Sequence, residues 1–221
     1  YREVGRNDLS LEISRKHSKF FPNDKEGYIN SAISLISMQK YEEAIDELNI
    51  ALTLYPEDFE INYFLGLTSY SLNDYLNAEK YYMISLRLDD TSIASMHGLA
   101  MTYDNLGKWK NSDDLYVKLI SLNENDAQAY NNYAYSLVER GEEIDYALTL
   151  AERAIEISPN TSAYLDTIGW IHYKLGNYSI AKDFIAKAIL IDESSAVILE
   201  HYGDILIKLE DVNEALIFYN K

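Results

Sequence analysis

The chain has no cysteine, which removes disulfides, thiolate nucleophiles and Cys-ligated zinc, and is compatible with a reducing or an oxidising compartment. With 3 prolines and 9 glycines in 221 residues it has few chain breakers, which favours helices over a many-turned β protein. No apolar run approaches the ~18 residues that a membrane-spanning helix needs. Positive charge is scarce: 19 Lys and Arg stand against 36 Asp and Glu, for a net charge of −17. That field repels phosphate backbones and argues against a polybasic membrane anchor, so neither nucleic acid nor an anionic bilayer is an expected partner. What is present is an ordinary 48% of hydrophobic residues, enough for a substantial core, and an unusual 20 tyrosines.

The chain repeats itself. KYEEAIDELNIALTLYPED (40–58) matches DYLNAEKYYMISLRLDDTS (74–92) at an offset of 34 residues, and the same step leads to KWKNSDDLYVKLISLNEND (108–126). EIDYALTLAERAIEISPNT (143–161) follows after one extra residue near Glu142 and Glu143, and NYSIAKDFIAKAILIDESS (177–195) returns to the 34-residue step. Small residues recur in two columns. One is Ala32, Gly66, Ala100, Ala134, Gly169 and Gly203; the other is Ala44, Ala78, Ser112, Ala147, Ala181 and Ala215. Two antiparallel helices approach closely only where side chains are small, so each pair of columns marks one helix–helix contact. Large residues such as Leu35, Leu48, Leu65, Tyr82, Tyr103 and Tyr116 recur three and four apart and fill the space around it. Gly107, Gly141 and Gly176 fall where a first helix has to end, and Pro56 and Pro159 where a second helix stops.

This pattern resembles the tetratricopeptide repeat, whose signature is a W-x2-L-G-x2-Y first helix, an A-x3-F second helix and a closing proline. Most copies here lack the leading tryptophan, and Asp90, Glu124 and Glu193 replace the proline. The resemblance implies an all-α, right-handed superhelical solenoid of antiparallel helix pairs. The expected division is a partial repeat over 1–24, full repeats over 25–58, 59–92, 93–126, 127–161 and 162–195, and a partial repeat over 196–221. First helices are expected over 25–38, 59–72, 93–106, 127–140, 162–175 and 196–209. Both ends read as cut, with Tyr1 inside the first helix of its repeat, so the expectation is a window on a longer chain. AYNNYAYSLVERGEEIDYALTLAERAIEISPN, followed by AYLDTIGWIHYKLGNY, is similar to a variant found in bacterial arrays, some exported or lipid-anchored, which implies a bacterial cytoplasm or periplasm.

No catalytic constellation emerges. His17, His97, His172 and His201 fall in different repeats with no metal-ligand spacing, and no phosphate loop, nucleophile elbow, EF-hand or dinucleotide fingerprint is present. No catalytic residue, cofactor or metal is therefore assigned. His172, in place of a core tyrosine, is expected to be packed and hydrogen-bonded.

In the family that the repeat resembles, first helices line a concave face on which peptides or helices of partner proteins lie. The matching positions here give a candidate groove of Ile29, Ile33, Ile36, Tyr63, Leu67, Tyr70, His97, Met101, Asn131, Tyr135, Asp166, Trp170 and Tyr173. Its N-terminal half is apolar, and its C-terminal half mixes aromatics with carboxylates. The Lys/Asn/Arg set with which some co-chaperone arrays grip a free carboxylate is missing. The expected function is a protein-interaction scaffold, with Tyr135, Trp170 and Tyr173 at its centre. Two other readings stay open: a regulatory or targeting arm of a larger enzyme, and an array that associates with its own copies. A structural role for Trp170, and cover of the apolar half by another segment, stay open too.

Overall fold

The structure, a computed structural model, describes residues 7–220. Among them are thirteen α-helices and no strand. First helices are α2 (Lys25–Ser37), α4 (Phe59–Ser71), α6 (Ile93–Asn105), α8 (Ala127–Arg140), α10 (Ser162–Lys174) and α12 (Ala196–Lys208). Each is followed by a second helix: α3 (Tyr41–Leu54), α5 (Tyr75–Leu88), α7 (Trp109–Leu122), α9 (Ile144–Ile157), α11 (Tyr178–Ile191) and α13 (Val212–Tyr219). α1 (Asn7–Phe20) precedes them. The expected all-α repeat holds, and the first helices end within one residue of expectation. The expectation for Tyr1 lies outside the described residues.

The chain forms two compact units, residues 1–115 and 116–221. In the first, α1 to α6 pack each on the next, and α2 and α4 also touch α4 and α6. Leu11, Ile29, Leu35, Leu48, Ile61 and Leu65 belong to one core cluster there, and Ala78, Tyr82, Leu99 and Tyr103 form another. In the second unit α8 to α13 pack in the same succession, around Leu165, Ile185, Ile198, Tyr202, Ile205 and Leu206.

Both small columns are buried throughout. A Cβ added at Gly169 would lie 2.7 Å from the Ile185 side chain and 3.3 Å from the Ala181 carbonyl oxygen, so α10 and α11 meet with no spare room. Enlarging this column forces helices apart. Ala181→Leu is expected to cost roughly 1–3 kcal/mol by overpacking, read as a lowered midpoint in chemical denaturation. A parental midpoint for that variant would mean that the column is not the contact.

The turns explain the phase of the repeat. Each first helix ends in a residue with positive φ: Gln39, Asn73, Gly107, Gly141, Gly176 and Glu210. The next residue's amide then bonds back to the carbonyl five positions earlier, as in Lys40 to Leu35, Lys108 to Tyr103, and Glu142 to Leu137. By this register the inserted residue of the fourth repeat is Glu143, itself left-handed at φ +43°, so the insertion is absorbed before α9 begins. A capping column that the sequence reading passed over sits before the first helices. Asp24, Asp58, Ser92 and Asp126 each accept a backbone N–H of the helix that follows, while Thr161 and Ser195 occupy the same position without that bond.

Candidate protein-interaction surface

The candidate groove residues divide between the two units. In the first unit, Ile33 and Ile36 are half-buried against the cluster that contains Ile29, which is itself 2% exposed. Tyr63, Leu67 and Tyr70 are half-buried against the Tyr82 cluster. Tyr63 lies 6.2 Å from Tyr82 between ring centroids, and the Tyr70 hydroxyl accepts the Asn105 amide at 3.1 Å. Burial raises the pKa of Tyr63, Tyr70 and Tyr82. His97 is 8% exposed and Met101 half-buried. The apolar half of the groove therefore owes its composition in part to its own repeat core: one face of each first helix serves both packing and surface.

In the second unit, α8 carries Asn131, Tyr135 and Glu139 four residues apart, hence along one face. Asn131 is buried at 6% exposure, whereas Tyr135 keeps 37% of its surface. The Tyr135 hydroxyl is pushed up to about 12, first by burial and then by the negative charges of Glu139, Asp166 and Glu200. Trp170 of α10 is only 8% exposed. Its ring lies between His201, 4.0 Å away at 10°, and Tyr173, 4.6 Å away at 5°. Its indole N–H donates to Glu139 Oε1 at 2.7 Å, and Lys174 Nζ stands 4.6 Å over the ring. Asp166 accepts His201 Nδ1 at 2.9 Å.

Burial separates the thirteen candidates. Ile29, His97, Asn131, Asp166 and Trp170 are under a tenth exposed and support the surface from beneath. Ile33, Ile36, Tyr63, Leu67, Tyr70, Met101 and Tyr173 are half-buried, and Tyr135 alone of the set is exposed. Trp170, for which a structural role stood open beside the groove reading, is buried here, because the His201 ring covers it. His201, Glu139 and Tyr219 were absent from the candidate set; counting along first helices gives one residue per turn and cannot show which rings stack between neighbouring helices.

His172 is packed as expected, its ring stacked on Phe184 at 5.7 Å and 8°, but its Nδ1 is buried without a hydrogen bond. Burial lowers its pKa, so the folded chain resists protonation there. As pH falls below about 6.5, the unfolded chain takes up that proton first and stability is lost. His172→Leu is expected to lose less thermal stability than the parent between about pH 7.5 and 5.5; equal losses in the two proteins would show that the buried ring carries no such penalty.

Among the described residues no group of three His, Asp or Glu is placed to hold a metal ion, and no helix is long and apolar enough to cross a membrane.

Residues 29–93 match the family model described as tetratricopeptide repeat, and residues 141–221 match that of anaphase-promoting complex, cyclosome, subunit 3. A tetratricopeptide-repeat protein of Methanocaldococcus jannaschii is 23% identical over 96% of this chain and 39% of its own length. Together with the paired helices and their 34-residue step, these matches decide the identity. The chain is an array of tetratricopeptide repeats. Among the solved structures that share the fold, two serve for comparison. The anaphase-promoting complex hetero-tetramer Cut9–Hcn1 has a TM-score of 0.83 at 15% identity, over 99% of this chain and 45% of that one. YrrB, described as a tetratricopeptide-repeat protein with an unusual peptide-binding site, has a TM-score of 0.62 at 23% identity, over 86% and 97%. The array spans about two fifths or less of the length of the curated relatives that it matches.

Proposed function

We propose that this array binds an extended segment or helix of a partner protein along the first-helix faces of its units. Tetratricopeptide-repeat folds are in general protein–protein interaction scaffolds. The observation that carries the reading is Tyr135, a large aromatic left 37% exposed on a helix face whose other members are buried or charged. Large rigid side chains of this kind lose little entropy on gripping a partner and are frequent hot spots. In the first unit Tyr63, Leu67 and Tyr70 provide a half-buried, mostly aromatic counterpart. The peptide-binding site named for YrrB supports the reading by analogy of fold.

The test is calorimetry with a partner segment first mapped on the full-length protein. Tyr135→Ala or Tyr63→Ala is expected to weaken binding by roughly 2 kcal/mol or more, while Lys118→Ala on the exposed side of α7 leaves it unchanged. Parental affinity in both tyrosine variants, in folded protein, would remove the first-helix faces from the interaction.

A further inference from the structure

The second unit collects carboxylates on its first helices, none of them paired with a Lys or Arg among the described residues. Glu139 lies on α8, Asp166 on α10, and Glu200 and Asp204 on α12. Three of them accept hydrogen bonds from neutral or aromatic groups: Glu139 from the Trp170 indole, Asp166 from His201, and Asp204 from the Tyr219 hydroxyl at 2.6 Å. Glu200 makes no hydrogen bond or ion pair among the described residues, and there no Lys or Arg pairs with any of the four. Lys174, close by, sits over the Trp170 ring instead.

These carboxylates and the rings form one cluster. Trp170 joins α8 to α10 through Glu139, and α10 to α12 through its stack on His201. Glu200 acts on the hydroxyls of both Tyr135 and Tyr219, and each is raised to about 12, with burial as the leading cause. Tyr135 and Tyr219 keep 37% and 44% of their surface exposed. A separate feature lies one turn before Tyr135. Asn131 is 6% exposed, and its amide oxygen is buried with no hydrogen-bond partner. An unmet acceptor in the wall of an acidic, aromatic surface adds a further demand for N–H donors.

We infer that the first-helix face of the second unit takes a cationic partner segment, whose Arg or Lys side chains meet the exposed Tyr135 ring and the exposed Glu200 carboxylate. The inference rests on the scaffold reading above and specifies its partner. A guanidinium stacks on a tyrosine ring while its N–H groups bond a carboxylate, and an ammonium uses the same two elements with less directional fit. The net charge of −17 steers such a segment inward and opposes the approach of a second acidic copy. The first unit carries Ile33, Ile36, Tyr63, Leu67 and Tyr70 at the matching positions, where the second unit has carboxylates among its aromatics.

Fluorescence anisotropy on the whole chain tests this with labelled Arg/Gly, Lys/Gly and Glu/Gly peptides of equal length. The Arg/Gly peptide is expected to bind saturably, the Lys/Gly peptide more weakly, and the Glu/Gly peptide not at all. Glu200→Gln and Tyr135→Ala should each weaken Arg/Gly binding about tenfold. Glu193→Gln makes the same charge change at an exposed loop position and should leave binding at the parental level. Glu200 is exposed and unbonded, so its variant keeps the fold, which circular dichroism verifies. No binding of the Arg/Gly peptide, parental binding in both cluster variants, or an equal loss in Glu193→Gln would overturn the assignment. If that happened while Tyr135→Ala or Tyr63→Ala still weakened a mapped partner segment, the scaffold reading would stand and only the cation assignment would fall.

Discussion

Trp170→Ala is expected to cost the second unit about 3–5 kcal/mol, in the range of a fully packed aromatic replaced by a methyl group. The indole is 8% exposed and held on both faces, by His201 at 4.0 Å and Tyr173 at 4.6 Å. Its removal leaves a cavity between α8, α10 and α12. It also takes the donor from Glu139, whose carboxylate then relies on water. Circular dichroism with denaturant reads the loss, and Trp109 remains as an independent fluorescent probe in α7. A variant with parental stability would show that the stack is surface contact and return Trp170 to the partner-binding set. Trp170→Phe keeps a flat ring between its neighbours and should recover much of the loss.

The second large effect belongs to Tyr82. This side chain is 2% exposed and fills the space beside two glycines of successive first helices, Gly66 and Gly98. A Cβ at Gly66 would lie 2.8 Å from the ring, and one at Gly98 would meet the ring tip. The glycines are thus the socket for the tyrosine, and neither half is useful alone. Tyr82→Ala is expected to cost about 3–5 kcal/mol from the first unit. Gly66→Ala is destabilising in the parent through the ring clash, yet should cost far less in the Tyr82→Ala background. That coupling is measurable as a double-mutant cycle. Additive effects would mean that the ring and the glycine do not share the space.

Spacing in the sequence determined a great deal here. The 34-residue step, the two small columns and the glycines at Gly107, Gly141 and Gly176 place every first helix to within a residue. This is so because a tight helix–helix contact and a left-handed turn each admit few residue types, and a linear repeat displays those restrictions at fixed intervals. The same spacing located the helix face on which Tyr135, Asp166, Trp170 and Glu200 lie.

Only the tertiary structure decided which members of that face are buried and which are exposed. Tyr135 and Trp170 occupy the same column position in adjacent repeats, yet one is exposed and the other enclosed. The difference arises because His201, contributed by the next first helix, stacks on Trp170 and bonds Asp166. A repeat register fixes the direction in which a side chain leaves its helix, while burial depends on what its neighbours, 31 to 35 positions away in the cases of Glu139 and His201, lay over it.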